Sequence, residues 1–170
     1  MNITTDRLIL RNFSRDDIDA ALAYLGDADT MYYIEDPFNY EQAKEFVERN
    51  IDEENALVYA LIEKKTEKII GHMIFHEYNY DQIYELGFII KSEYQGKGYG
   101  YEIGKALLDY GFHVLNLHKI IAETIEGNNK SISLIEKLGF TKEATLRKQN
   151  YDHNQWVDEY HFGLLKSDYN

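Results

Sequence analysis

The segment Tyr94–Gly100, YQGKGYG, places a glycine at every second position between a strand-like and a helix-like stretch. The preceding residues, Gln82–Ile90, form an apolar run typical of a strand. The following apolar and small residues recur at three- and four-residue steps, as one face of a helix would: Ile103, Leu107, Gly111 and Val114. Where a strand turns into a helix, unpaired backbone N–H groups and the positive end of the helix dipole converge. The segment therefore predicts an anion site suited to a pyrophosphate.

Two familiar phosphate motifs do not match this loop. The dinucleotide fingerprint needs a third glycine three residues after the second, and that position holds Tyr101. A P-loop needs serine or threonine after its Gly-Lys pair, but Lys97 is followed by Gly98. Glycines let the backbone donors approach a phosphate directly, and Lys97 adds positive charge at the rim. A phosphate-bearing cofactor of another kind is the remaining interpretation.

The rest of the chain alternates strand and helix patterns. Strands are predicted over Arg7–Phe13, Ala56–Glu63, Ile69–Tyr78, His118–Glu126 and on both sides of the DHNQ turn in Thr145–Leu165. Helices are predicted over Ser14–Leu25, Glu41–Glu54 and Lys130–Leu138, with Asn128 or Asn129 as an N-cap and Gly139 as a stop. Gly104 and Gly111 would let the long helix lie close to the sheet. We expect one α+β domain over residues 1–170, with antiparallel strands first and a strand-helix-strand unit in the middle.

Composition narrows the classes of partner. A formal net charge of −12 disfavours nucleic acid and suits a cationic partner. The chain has no cysteine, no stretch long and apolar enough to span a membrane and no leader-like start, so we expect a cytoplasmic protein that binds no membrane. There is no cysteine to ligate a metal, and no group of other residues has the spacing of metal ligands, so we also expect no metal.

Two segments of the chain resemble the core of the GNAT superfamily of N-acetyltransferases: ELGFIIKSEYQGKGYGYEIGKALLDYGF and NNKSISLIEKLGF. Gln95, Gly98 and Gly100 match its Gln-x-x-Gly-x-Gly pattern, and Asn128 and Ser131 match its Asn-x-x-Ser pattern. The opening TDRLILR and the late YDHNQWVD further resemble the branch that acetylates ribosomal-protein N-termini (serine or alanine). These matches extend over nearly the whole chain.

The resemblance implies a mostly antiparallel sheet of about seven strands with flanking helices and two splayed parallel strands in the middle. Acetyl-CoA would lie between those strands as the cosubstrate. Its pantetheine arm would pair with Phe88, Ile89 and Ile90, and Asn128 would bind the arm from the other strand's exit. Its pyrophosphate would lie on the loop formed by Gln95, Gly96, Lys97, Gly98, Tyr99 and Gly100. A homodimer is compatible with the resemblance.

The implied chemistry is attack of a neutral amine on a thioester, which needs a base, an oxyanion donor and an acid. Many family members place the acid, a tyrosine, where this chain has Ile135. Ser131, one turn earlier, is therefore the first candidate for the acid, with Tyr151 as the second. Glu85 is the candidate base, since it shares a strand face with Gly87 and Ile89 if the alternation is unbroken. We expect His72 and His76 to serve in packing or at a solvated edge.

The sequence indicates less about the acetyl acceptor than about the acetyl donor. Aromatic residues and carboxylates near Pro37 suit a cationic amine, and the candidates are Tyr32, Tyr33, Glu35 and Phe38. The same segment could simply cover the core. The acceptor could be a protein N-terminus or a small amine such as a polyamine or aminoglycoside. A catalytically silent CoA-binding protein is the alternative outside enzymes, because Ile135 replaces the expected tyrosine.

Overall fold

The computed structural model describes residues 1–52 and 56–169, which contain one eight-stranded sheet with helices on both faces. The sheet order is β1-β2-β3-β4-β5-β6-β8-β7, and the neighbours are antiparallel except for the parallel pair β5 and β6. The strands are β1 (Ile3–Thr4), β2 (Leu8–Arg11), β3 (Val58–Glu63), β4 (Lys68–Tyr80), β5 (Ile83–Ile90), β6 (Lys119–Ile125), β7 (Thr141–Asp152) and β8 (Gln155–Leu165). The helices are α1 (Ile18–Leu25), α2 (Ala28–Met31), α3 (Tyr40–Arg49), α4 (Tyr99–Asp109) and α5 (Asn129–Lys137).

The expected class is confirmed, with three differences in the elements. The sheet has eight strands rather than about seven, because Ile3–Thr4 pairs with β2. Helix α3 ends at Arg49, where Asn50 caps it, and the last two residues of the predicted Glu41–Glu54 helix lie outside the described residues. Helix α4 runs into a π-helical turn, Tyr110–Val114, whose wider spacing turns Val114 to solvent instead of the core.

Local signals set several helix ends as predicted. Asp17 accepts a hydrogen bond from the Ser14 backbone N–H at 2.7 Å and forms the expected capping box, although the first turn is a 3₁₀ helix over Arg15–Asp17. Asn128 caps α5, and its Oδ1 accepts from the Ser131 N–H at 3.3 Å. Gly139, just after α5, has a φ of 99°, which terminates the helix.

Successive strand residues point to opposite faces of the sheet, and apolar residues pack on both faces. One face carries α4 and α5, whose Ile103, Leu107 and Ile135 pack against strand residues such as Leu86. The opposite face carries α1 and α3, which pack against residues such as Ile89. Each strand residue is thereby assigned to the α4/α5 face or to the α1/α3 face. Within the described ranges, no helix is both long and apolar enough to cross a membrane.

The parallel strands β5 and β6 stay together only at their start. Their register pairs are Ile83↔Lys119, Tyr84↔Ile120 and Glu85↔Ile121. Beyond Glu85, β5 continues beside β4 as far as Ile90, whereas β6 continues beside β8 as far as Ile125. A gap therefore opens in the middle of the sheet, and along residues 86–90 none of the described strands pairs with β5 on the β6 side.

Candidate active site

A cavity of about 280 Å³ occupies the gap between β5 and β6. Residues of both sheet faces line it: Leu86, Ser131 and Ile135 belong to the α4/α5 side, whereas Glu85 and Glu123 belong to the opposite side. An intact sheet would keep these two groups apart, because successive side chains alternate between the faces. The splayed strands thus create a passage through the sheet, in which groups bound from opposite faces can meet.

Glu85 lies at the start of this gap and is a suitable general base. The β4–β5 register is continuous from Glu85 to Ile90, so Glu85, Gly87 and Ile89 share a face as expected. Its carboxylate lies 3.5 Å from His76 Nε2. Burial raises the pKa of Glu85 above its ordinary value, His76 opposes that shift, and the charge of Glu123 adds to it. A raised pKa makes a carboxylate a better proton acceptor.

Two further carboxylates, Glu123 and Glu159, line the same side of the cavity. His161 lies between them, with Nε2 2.6 Å from Glu159 Oε1 and Nδ1 3.7 Å from Glu123 Oε1. Burial favours a higher pKa for Glu159, but hydrogen bonds from His161 and Asn150 outweigh it and lower the pKa. These ionisable groups give the α1/α3 side of the cavity a negative character.

Glu123, Glu159 and His161 also each place one ligand atom within 4.8 Å of the others, which is compatible with a metal ion. Their sequence spacing does not reveal this grouping. The residues come together because Glu123 pairs with His161 across β6 and β8. Hydrogen bonds already join Glu159 to His161 and Asn150, so the cluster is held together by its own polar contacts.

The glycine loop lies between the end of β5 and the start of α4, at the N-terminal end of that helix. Gly96 and Gly98 have φ values of 73° and 82°, which are left-handed conformations that glycine adopts readily. Gly98 is the N-cap, and no side chain of the described residues caps the first turn, so its backbone N–H groups are available to an anion. Gly100 has a different role: a Cβ there would lie 2.7 Å from Leu134 Cδ2, so α4 and α5 approach closely at this point.

Side chains of the loop turn away from the helix end. Gln95 Nε2 donates to the Ile90 carbonyl at 2.8 Å, and Gln95 Oε1 accepts from Lys130 Nζ at 2.9 Å. Lys97 Nζ lies 4.9 Å from the centre of the Tyr94 ring. Tyr99 is buried, and its hydroxyl donates to the Glu63 carboxylate. The loop therefore presents backbone rather than side chains, as a close-fitting pyrophosphate site requires.

The predicted residues of α5 lie at the α4/α5 side of the cavity. Asn128, Ser131 and Ile135 all line it, and Ile135 is also part of the buried core. The position expected to hold a tyrosine is therefore apolar and filled. Ser131 is the hydroxyl on this helix face that borders the cavity, which keeps it as the candidate acid.

The other residues predicted to bind the cofactor or to act in catalysis lie in different places. Phe88 and Ile89 line the cavity, whereas Ile90 packs beside Gly100 at the helix start. Tyr151 is 61% exposed and packs against Trp156 across the β7–β8 hairpin. It is not among the residues that line the cavity, although its neighbour Asn150 is, because successive residues of a strand face opposite sides of the sheet.

The predicted acceptor segment contributes Tyr33 to the cavity, and its neighbour Ile34 lines it as well. Tyr32 stacks on His153, with ring centres 4.0 Å apart, and so joins this segment to the turn of the β7–β8 hairpin. Phe38 packs against Phe46 beneath α3, and Glu35 is exposed; neither borders the cavity.

The two histidines of β4 differ in environment. His72 is buried, its Nδ1 is 2.8 Å from the Tyr24 hydroxyl, and burial lowers its pKa to about 3. This confirms the expected packing role, since a histidine with so low a pKa stays neutral near pH 7. His76 is partly exposed beside Glu85.

Sequence reasoning missed Glu123 and Glu159 as cavity residues. One signal was available: Glu123 lies between Ile121 and Ile125 on one face of the strand. A charged side chain in such a position indicates either an edge or a site. Its partner Glu159 has no comparable signal, because only the register Ile125↔Glu159 brings it there.

Comparison with known proteins agrees with this geometry. Residues 7–141 match the family model described as an acetyltransferase (GNAT) domain. The uncharacterized N-acetyltransferase YnaD of Bacillus subtilis is 37% identical over 171 residues, with full coverage of both chains. A GNAT-family acetyltransferase structure from Bacillus anthracis has a TM-score of 0.91 at 34% identity and covers 98% of this chain and 99% of its own.

A spermidine N-acetyltransferase from Vibrio cholerae, solved with CoA and spermine, is similar at 28% identity with a TM-score of 0.82, covering 97% of this chain and 99% of its own. A structure described as a putative ribosomal-protein-serine acetyltransferase from Vibrio cholerae shares the fold at 23% identity and a TM-score of 0.82, with 97% coverage of each. The loop, the splayed strands and these similarities agree: the chain belongs to the GNAT family and is an acetyl-CoA-dependent N-acetyltransferase.

Proposed function

We propose that this enzyme acetylates a primary amine of a small cationic acceptor, a polyamine or a similar amine. The observation that carries the proposal is the group of three carboxylates, Glu85, Glu123 and Glu159, on one side of the cavity. An ammonium group is attracted to such a site, and a second cationic group on the acceptor would strengthen binding. The spermidine N-acetyltransferase named above supports the same class of acceptor.

The donor fits the opposite side of the gap. The first-turn N–H groups of α4 and the left-handed Gly96 and Gly98 form a backbone cradle for the pyrophosphate. The edge of β5 beyond Glu85 offers hydrogen bonds to the amide groups of the pantetheine arm, except at the Ile90 carbonyl, which already accepts from Gln95 Nε2. When bound, acetyl-CoA supplies an acetyl thioester, which a neutral amine can attack.

Protein groups then serve the three chemical needs. Glu85 Oε accepts the proton of the incoming ammonium group, directly or through one water. A backbone N–H on the free edge of β5 stabilises negative charge that develops on the acetyl oxygen. After attack the nitrogen loses a second proton and the departing sulfur gains one. The Ser131 hydroxyl donates its proton to the sulfur as the C–S bond breaks and regains one from the nitrogen, directly or through water, so that CoA leaves as a thiol. Its thiolate needs modest help, since a thiol has a reference pKa of about 8.5.

A protein N-terminus is the second candidate acceptor. The TDRLILR opening and the late hairpin resemble the branch that uses such acceptors, and the exposed Tyr33 and Ile34 at the cavity mouth could contact a peptide. An α-amine has a reference pKa of about 7.7–8.0 and so needs a weaker base than a polyamine.

Thiol release with matched acceptors tests the proposal. The panel contains spermidine, spermine, a monoamine of equal length, an aminoglycoside and peptides with free serine or alanine N-termini. We expect turnover with the polycationic amines, and Glu123→Gln should raise their KM more than that of the monoamine. Turnover confined to peptides would favour the second candidate. Binding of acetyl-CoA without turnover on any acceptor would make the chain a CoA-binding sensor.

A further inference from the structure

Arg7, which is remote in sequence from the glycine loop, lies directly against it. Its Nη1 donates to the Lys97 carbonyl at 3.0 Å, and its guanidinium carbon lies 4.6 Å from the centre of the Tyr99 ring. A Cβ at Gly98 would lie 3.5 Å from Arg7 Nη2. One guanidinium thus contacts Lys97 and Tyr99 and lies beside Gly98 between them, at the junction of loop and helix. The planar fork of arginine is suited to hold several groups at once.

The same side chain pairs with a carboxylate in the first turn of α4. Glu102 Oε2 accepts from Arg7 Nε at 2.6 Å, and Glu102 Oε1 accepts from the Arg7 backbone N–H at 2.9 Å and from Thr5 Oγ1 at 2.6 Å. Burial opposes ionisation of Glu102, but these hydrogen bonds outweigh it and lower its pKa. Glu102 is therefore a full negative charge close to the helix end where an anion would bind.

A negative charge at this position has opposite effects on the helix and on a phosphate. It stabilises the N-terminus of α4, but it also repels an incoming pyrophosphate. The paired guanidinium cancels most of that repulsion. The hydrogen bond to the Lys97 carbonyl also holds this carbonyl on the Arg7 side of the loop, so that it does not point at the anion.

From these contacts we infer that Arg7 is a positioning residue for the cofactor loop: it fixes the Lys97 peptide and neutralises Glu102, so that the backbone N–H groups of the loop can bind the pyrophosphate of CoA. The inference rests on the proposed placement of the pyrophosphate on this loop. It does not depend on which amine is the acceptor.

Calorimetric titration of CoA into purified variants tests the inference without an acceptor. We expect Arg7→Ala to weaken CoA binding by about 10–100-fold, the range that corresponds to loss of one charge-assisted hydrogen bond. Arg7→Lys keeps the charge but not the fork and should lie between Arg7→Ala and the unaltered enzyme. Arg15→Ala removes an exposed arginine outside the loop and is the matched control. Circular dichroism and thermal unfolding report whether each variant is folded.

A double-mutant cycle separates the neutralising role. If Arg7 offsets the charge of Glu102, then Arg7→Ala should cost less CoA affinity in a Glu102→Gln background than alone. An equal cost in both backgrounds would overturn the neutralising role. If Arg7→Ala is unfolded, Arg7→Lys replaces it in the same cycle.

Truncated donors distinguish positioning of the loop from general structural damage. S-acetylpantetheine lacks the pyrophosphate, so its KM should be the same for Arg7→Ala and the unaltered enzyme, whereas the KM for acetyl-CoA rises and kcat at saturation changes little. Equal losses with both donors, or unchanged CoA affinity in a folded Arg7→Ala protein, would overturn the inference. Failure of the unaltered protein to bind CoA would instead contradict the proposed function.

Discussion

Glu85 of β5 and Ile121 of β6 form the final register pair between the two parallel strands. Pairing between β5 and β6 therefore ends at this pair, and the cavity begins beyond it. A carboxylate at this position is held by strands on both sides and still faces the gap. Rigid placement of this kind lowers the entropic cost of bringing a base to a reacting amine.

Replacing Glu85 should affect activity and stability in opposite directions. Glu85→Gln removes the proposed base and should lower kcat by about 10²–10⁴-fold. The folded-state pKa of Glu85 is raised, so its ionisation costs stability above the folded pKa, and that cost vanishes below the unfolded value. The variant should therefore melt at a higher temperature than the unaltered protein at pH 8.

The control for this prediction is Glu77→Gln, an exposed carboxylate on β4. It should change neither kcat nor the melting temperature appreciably. The melting temperatures of Glu85→Gln and the unaltered protein should also converge near pH 4. A lower melting temperature of Glu85→Gln at pH 8 would contradict the burial argument.

Ser131→Ala should slow acetyl transfer without weakening CoA binding. The hydroxyl borders the cavity, whereas the cap of α5 uses the Ser131 backbone N–H, which alanine keeps. We expect kcat to fall by about 10²-fold, the low end of general acid–base contributions. Ser133→Ala, an exposed position on the same helix, is the matched control. Equal turnover of the two variants would remove Ser131 as the acid.

Gly98→Asp should weaken CoA binding while the protein remains folded. Its carboxylate would stand at the N-cap of α4 beside the Arg7 guanidinium, so it would repel a pyrophosphate and also compete with Glu102 for that cation. We expect CoA affinity to fall by more than about tenfold. Gly139→Asp carries a similar backbone strain, with a φ of 99°, just after the C-terminal end of α5 and outside the loop, and controls for it. Calorimetric titration of CoA into both variants tests this prediction. Unchanged CoA affinity in folded Gly98→Asp would refute the placement of the pyrophosphate on this loop.

His72 should make the protein sensitive to acid. Its folded pKa of about 3 lies below the ordinary 6.5, so the unfolded chain binds a proton first as pH falls. Stability is therefore full above pH 6.5 and declines toward pH 3, by about 1.4 kcal/mol per pH unit. Urea unfolding should show a smaller loss between pH 7 and 5 for His72→Gln than for the unaltered protein or His113→Gln, an exposed control.

Local patterns predicted the parts of the site that depend on neighbouring residues in the chain. The positive φ angles of Gly96 and Gly98, the cap at Asn128 and the turn at Asn154, with a φ of 62°, follow from residue types at fixed spacing. Such features are settled within a few residues, so the sequence alone carries them.

Features that depend on strand order were not predictable in this way. Tyr151 was the second candidate for the acid, but on β7 its neighbour Asn150, and not Tyr151, borders the cavity. Strand β8 enters the sheet between β6 and β7. The same insertion brings Glu159 to the cavity. Arg7 and Glu102 are 95 residues apart, and no local sequence pattern predicts their contact.

The free backbone edge at residues 86–90 has a further consequence that hydrogen exchange can measure. Amide protons in the middle of a sheet are normally the slowest to exchange, because both sides of each strand are bonded. Here alternate amides of a central strand have no strand bonded to them on the β6 side. In the free enzyme they should exchange with deuterium as fast as those of an outer edge. Bound CoA should slow these amides selectively, so the strand itself reports occupancy of the site.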